Sequence, residues 1–131
     1  MFITDPISDL IVRIKNANQR KHKTVSIPYS VKKEAIIKLI LEEGYITSYA
    51  VEGEKVDKKL VVTLKYKKGK SAIVDFKRAS KPGLRLYAKA DEITSVLSGF
   101  GTVIISTSKG LMTGKEAKKE NVGGEIIAYI W

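Results

Sequence analysis

Ile7, Leu10, Ile11, Ile14 and Ala17 recur every three or four residues, the spacing that gathers apolar side chains on one face of a helix. Pro6 suits the first turn, where a missing N–H costs nothing, and Thr4 or Asp5 can cap it. Asn16, Asn18 and the basic run Arg20-Lys21-His22-Lys23 end this helix. Thr24 to Pro28 is short and β-branched, and reads as a strand stopped by proline. Ser30 then caps a second helix that carries Ala35, Ile36, Leu39, Ile40 and Leu41 and stops at Gly44. Two extended segments follow, Ile46–Glu52 and Lys59–Tyr66, joined as a hairpin by the polar stretch Gly53 to Lys58.

Lys67-Lys68-Gly69-Lys70 is a charged, glycine-containing turn and the best boundary between lobes. Beyond it, Ser71–Lys77 and Leu84–Ala88 read as strands separated by Ser80, Lys81, Pro82 and Gly83. Asp91 is placed to cap a short helix with Ile93, Val96 and Leu97, ended by Gly99. Val103–Ile105 is a buried strand that runs into the loop Ser106-Thr107-Ser108-Lys109-Gly110. Thr113 and Glu116 have capping-box spacing and open a helical piece to Lys119. From Glu125 to Trp131 apolar residues fall on both faces, as in an interior strand. The fold class expected is α+β, with an α-β-α-β-β lobe over residues 1–67. A lobe of mostly antiparallel β with short helices is expected over 68–131, the two tightly associated without a long linker.

A length of 131 residues and 44% apolar composition supply a core for such a pair of lobes and exclude a disordered chain. Charge adds a partner class. Twenty-four Lys and Arg oppose 14 Asp and Glu, a net charge of +10, divided as +5 on each side of Lys67. The folded surface, not a tail, therefore carries the excess, which favours a polyanion. There is no cysteine, hence no disulfide and no thiolate metal site. No apolar run approaches the roughly 18 residues of a spanning helix, and neither clear helix has the basic, strongly amphipathic character of a membrane-surface binder.

Catalytic readings fail one by one. The single histidine, His22, sits between Lys21 and Lys23, where neighbouring cations make it a poor metal ligand. Zinc lacks a second nitrogen or sulfur ligand. Gly69-Lys70-Ser71 resembles the tail of a phosphate-binding loop, but Leu64 stands where the first glycine belongs. Gly99-Phe100-Gly101 lacks the third glycine of a dinucleotide fingerprint, since Ile104 takes its place. Carboxylates fall mainly at caps or beside lysines. No enzyme, cofactor or metal is expected, and a nucleotide-handling enzyme or a nonspecific nucleic-acid binder stands only as an alternative. What remains is the Ser106–Gly110 loop. Its three hydroxyls can meet phosphates, base edges and 2′-hydroxyls, its lysine adds charge, and its glycine permits close approach. Tyr87, between Arg85 and Lys89, can stack on a base or sugar.

Four motifs at these positions carry a resemblance over essentially the whole chain. They are Thr4-Asp5-Pro6-Ile7 running to Arg13-Ile14-Lys15-Asn16-Ala17, Lys81-Pro82-Gly83-Leu84-Arg85-Leu86-Tyr87, Ile105 to Thr113 around Ser-Thr-Ser-Lys-Gly, and Gly123-Gly124-Glu125 leading to Trp131. In this order and spacing the sequence resembles the bacterial small-subunit ribosomal protein eight family. The resemblance implies a primary rRNA-binding protein of the cytoplasmic ribosome that recognises an irregular helix in the central domain of small-subunit rRNA and supports platform assembly. It further implies neighbouring small-subunit proteins as partners and, in some bacteria, repression of its own operon mRNA. Neither a membrane nor DNA is an expected partner, and outside the ribosome a monomer is expected. The implied contacts are Ser106, Thr107, Ser108, Lys109 and Gly110 in a minor groove, Tyr87 near a base, Glu125 and Arg85 nearby, and Thr4, Asp5, Arg13, Asn16 and Lys32 from the first lobe. Two departures, Gly114 for a frequent aspartate and Ala128 for a frequent cysteine, lie away from that face.

Overall fold

A computed structural model describes residues 6–80, 83–89 and 101–131, which divide into two units, Pro6–Val74 and Asp75–Trp131. The proposed caps Thr4 and Asp5, the turn residues Lys81 and Pro82, and the helix expected from Asp91 lie outside the described residues.

The first unit opens with α1 (Pro6–Gln19), whose buried residues are the five of the predicted stripe: Ile7, Leu10, Ile11, Ile14 and Ala17. After it come β1 (Thr24–Pro28), α2 (Val31–Glu42), β2 (Ile46–Glu52) and β3 (Lys59–Leu64). Ser30 caps α2 by accepting the Lys33 amide at 3.1 Å, and Gly44, at φ 85°, turns the chain into β2. The sheet order is β1-β3-β2, all antiparallel, so β3 is the central strand. Its Leu60, Val62 and Leu64 alternate inward, as period-two burial requires. Helix α1 packs beside β1 and α2 beside β2, which closes a core with Ile27, Ile36, Ile37 and Ile40.

In place of one long strand after Lys67, a tight hairpin forms between β4 (Tyr66–Lys67) and β5 (Lys70–Ser71) and belongs to the first unit. The chain then bends, and β6 spans only Phe76–Arg78. The expected strand at Leu84–Ala88 contracts to β7 (Tyr87–Ala88). Both contractions have one cause: these segments pair with different stretches of a single distant strand, and pairing length is set there.

That strand is β10 (Gly124–Ile130). It takes β6 along Ala128–Ile130 and β7 at Gly124–Glu125 on one side, and β8 (Thr102–Thr107) on the other. Strand β9 (Gly110–Thr113) extends the sheet beyond β8. Sequence pattern missed β9 because four residues after a polar turn give no periodicity to read. Thr113 ends it and caps α3 (Gly114–Lys119), accepting the Glu116 amide at 3.3 Å. Val103, Ile105, Met112, Ala117 and Ile126 form the buried centre of this unit. The chain is thus α+β with mostly antiparallel strands.

Candidate nucleic-acid interface

Ser106 and Thr107 are the last residues of β8 and Gly110 the first of β9, so the predicted loop is a two-residue hairpin turn with Ser108 and Lys109 at its tip. The Thr107 hydroxyl donates to the Gly110 carbonyl at 2.9 Å and accepts the Lys109 amide at 3.1 Å, which fixes the turn. Gly110 sits at φ 108°, and an added Cβ would meet nothing within 4 Å. Glycine is needed there for conformation rather than for room. Ser108 and Lys109 stand exposed, and the Lys109 ammonium lies 3.2 Å from a Glu120 carboxylate oxygen.

Across the sheet, Glu125 of β10 is directly opposite Tyr87 of β7 on one side and Ser106 of β8 on the other. Directly opposed residues share a face, so Tyr87, Glu125 and Ser106 form one row across three strands. Tyr87 is 69% exposed. Arg85 reaches over to Glu125, with guanidinium nitrogen to carboxylate oxygens at 3.0 and 3.3 Å. The row brings together an aromatic ring, a carboxylate, a guanidinium and a hydroxyl beside the fixed turn.

Two residues that position this row were not among the sequence-predicted ones. Ser80 is fully buried, and its hydroxyl both accepts the Leu86 amide at 2.8 Å and donates to the Leu86 carbonyl at 3.2 Å. It therefore clips the backbone immediately before Tyr87, while the Ile126 amide donates to the Leu86 carbonyl at 2.8 Å. Serines in turns are so common that the sequence offers no signal for this one. Gly124 is the second: a Cβ there would collide with the Ser106 carbonyl oxygen. The Gly123-Gly124 pair is a visible sequence signal, and the Ser106 carbonyl is the steric reason for its second glycine.

The first unit places the remaining candidates separately. Arg13 and Asn16 are exposed three residues apart on α1, with the Arg13 guanidinium 2.9 Å from Asp9, and Lys32 is exposed in the first turn of α2. Lys33, next to it, is instead buried, donating to the Pro28 carbonyl at 3.2 Å. Burial holds its ammonium below the usual lysine range, and Asp9 opposes that shift. On another part of this unit the Glu34 carboxylate accepts the hydroxyls of Tyr29 and Tyr49, each at 3.0 Å. The hydrogen bonds from Tyr29 and Tyr49 hold Glu34 below the ordinary carboxylate range. Lys58 lies 4.1 Å over the Tyr29 ring.

Among the described residues no group of three or more His, Asp or Glu could hold a metal, and no helix is long and apolar enough to cross a membrane. The row and the turn present polar and aromatic groups to solvent. The family model for ribosomal protein S8 matches residues 5–131. The chain belongs to the ribosomal protein S8 family. Within the S8 family it is 76% identical over 132 residues to the small ribosomal subunit protein uS8 of Mycoplasmopsis synoviae strain 53, with all of both chains covered. It is 70% identical over 131 residues to the uS8 of Mycoplasmopsis agalactiae, and 54% identical over 131 residues to that of Dictyoglomus turgidum, again at full coverage of both. S8 proteins are structural, non-enzymatic ribosomal components, which agrees with the failure of every catalytic motif in the sequence.

Proposed function

We propose that this chain is a structural constituent of the small ribosomal subunit and that it reads an irregular helix in the central domain of the rRNA through the Tyr87–Glu125–Ser106 row and the adjoining turn. The observation that carries this reading is the row itself, set on three paired strands next to a turn that Thr107 fixes internally. An A-form helix hides its major-groove edges and presents 2′-hydroxyls and base edges in a wide, shallow minor groove. Short hydroxyls on a rigid hairpin suit that surface better than a long helix would.

Roles divide accordingly. Ser106 and Ser108 meet the RNA, Thr107 and Gly110 hold the turn, and Tyr87 stacks on an unpaired base that the irregularity exposes. Arg13, Asn16 and Lys32, with Thr4 and Asp5, add a supporting contact, and the distributed lysines supply affinity without sequence information. Neighbouring small-subunit proteins complete the site, and platform assembly follows from binding early. An mRNA folded into the same irregular helix would meet the same surface, which gives autogenous repression its physical basis.

The test is binding of the purified chain to a central-domain rRNA fragment and to an unrelated hairpin at moderate salt. Tight, saturable binding to the fragment alone is expected. Equal binding to both would overturn the reading.

A further inference from the structure

The net charge is +10, yet two cations of the reading surface, Arg85 and Lys109, each face a carboxylate of the same unit. Arg85 has Glu125, itself part of the row. Lys109 has Glu120, the residue just past the end of α3, eleven positions away in the chain. Lys109 is the one charged residue between Ser106 and Gly110. It also lines, with Met112, Glu116, Lys119 and Glu120, a shallow cavity of about 410 Å³ beside the turn. Both partners of the pair are about half exposed, at 55% and 52%, so the pair biases Lys109 toward Glu120 without locking it there.

We propose that Glu120 is a specificity-determining residue of the RNA surface, whose carboxylate holds the Lys109 ammonium and so withholds it from phosphates of the wrong RNA. Nonspecific binding rests almost wholly on cations that displace counterions from phosphates. Such RNA offers phosphates at no fixed position, and a free Lys109 would follow any of them. A matched RNA is fixed by the hydroxyl and aromatic contacts, and Lys109 adds to it only if a phosphate happens to lie within reach. Neutralising Lys109 on the protein therefore costs the wrong complex more than the right one. At the two paired cations, Arg85 and Lys109, the charge of the reading surface is locally offset.

This inference rests on the RNA-binding reading given above. Full-length Glu120→Gln is compared with the parent chain on the central-domain fragment and the unrelated hairpin, over a salt titration, with thermal unfolding as the check of fold. Binding to the hairpin is expected to tighten about two- to fivefold at low salt, in line with an exposed ion pair, and binding to the fragment by less. In a Lys109→Met background the same Glu120→Gln change is expected to give a distinctly smaller gain on the hairpin, since only the direct repulsion of phosphate by the carboxylate is then removed. An unchanged hairpin affinity, an equal gain on both RNAs, or a gain undiminished without Lys109 each overturns the role of Glu120 while leaving RNA recognition intact. A parent chain that does not prefer the fragment overturns the RNA reading, and this role with it.

Discussion

Tyr87 and Ser106 stand on opposite sides of Glu125 in a single cross-strand row, although nineteen positions separate them along the chain. Their relation is set by β10 alone, since each pairs with it and neither with the other. On the proposed reading, a base stacked on Tyr87 would be held at a defined offset from the hydroxyl of Ser106. Replacing Tyr87 by Ala removes the ring from a position already exposed, so the fold is expected to persist. Binding to the central-domain fragment should weaken by about 1–3 kcal/mol, the usual worth of one stacked base, as read by fluorescence anisotropy. Tyr87→Phe should retain most of that affinity.

Ser108→Ala and Lys118→Ala separate recognition from attraction. Loss of the Ser108 hydroxyl should cost about 1–3 kcal/mol on the matched fragment and persist at high salt. Loss of Lys118, exposed on α3, should weaken all RNAs modestly and mostly at low salt. Parallel salt titrations of the two variants check this; identical curves would abolish the distinction.

Ser80→Ala is expected to reduce stability by about 1–3 kcal/mol, because the Leu86 amide loses the buried Ser80 hydroxyl as its partner while the Leu86 carbonyl keeps the Ile126 amide. Chemical denaturation measures the loss. Since Leu86 precedes Tyr87, affinity for the matched fragment should fall as well, at temperatures where the variant is still folded.

Gly124→Ala adds a methyl group against the Ser106 carbonyl, where the paired strands leave no room for a Cβ. Overpacking of this kind costs about 1–3 kcal/mol. The strands must part, and Ser106 moves with them. A lowered midpoint of unfolding together with weakened fragment binding is the expected result, whereas Gly123→Ala serves as the neighbouring comparison.

The Glu34 carboxylate is held below its ordinary range chiefly by the hydrogen bonds from Tyr29 and Tyr49. A depressed folded-state value means stability that is fully present above the unfolded carboxylate value and lost as pH falls through the folded one. Acid titration of unfolding should therefore show a limb that is shallower in Glu34→Gln than in the parent chain. Equal limbs would mean that the two tyrosine bonds do not favour the ionised form.

The first unit was largely legible in the sequence, because its elements are local. The stripe from Ile7 to Ala17, the β-branched run before Pro28 and the cap at Ser30 each act over a few residues, and the structure has them where periodicity puts them. The second unit was harder. Strand β7 is two residues long and β9 four, and each exists through its partner rather than its own pattern. The chemical character of the proposed surface was readable from Ser106–Gly110 and Tyr87, whose Ser108, Lys109 and Tyr87 side chains the structure leaves exposed. Its geometry was not, because the row, the Ser80 clip and the Glu120 pair all join residues distant in the chain.

Strand β10 follows every other element of its sheet in the chain, yet β6, β7 and β8 all pair with it. During synthesis the β8–β9 hairpin can close early, because its partners are adjacent. Strands β6 and β7 must wait until Gly124–Ile130 has been made, and until then they are open edges without a ladder. The second unit thus completes in one late, long-range step. The hairpin that carries Ser108 can take shape before the strand that supplies Glu125 exists, and the row is assembled last.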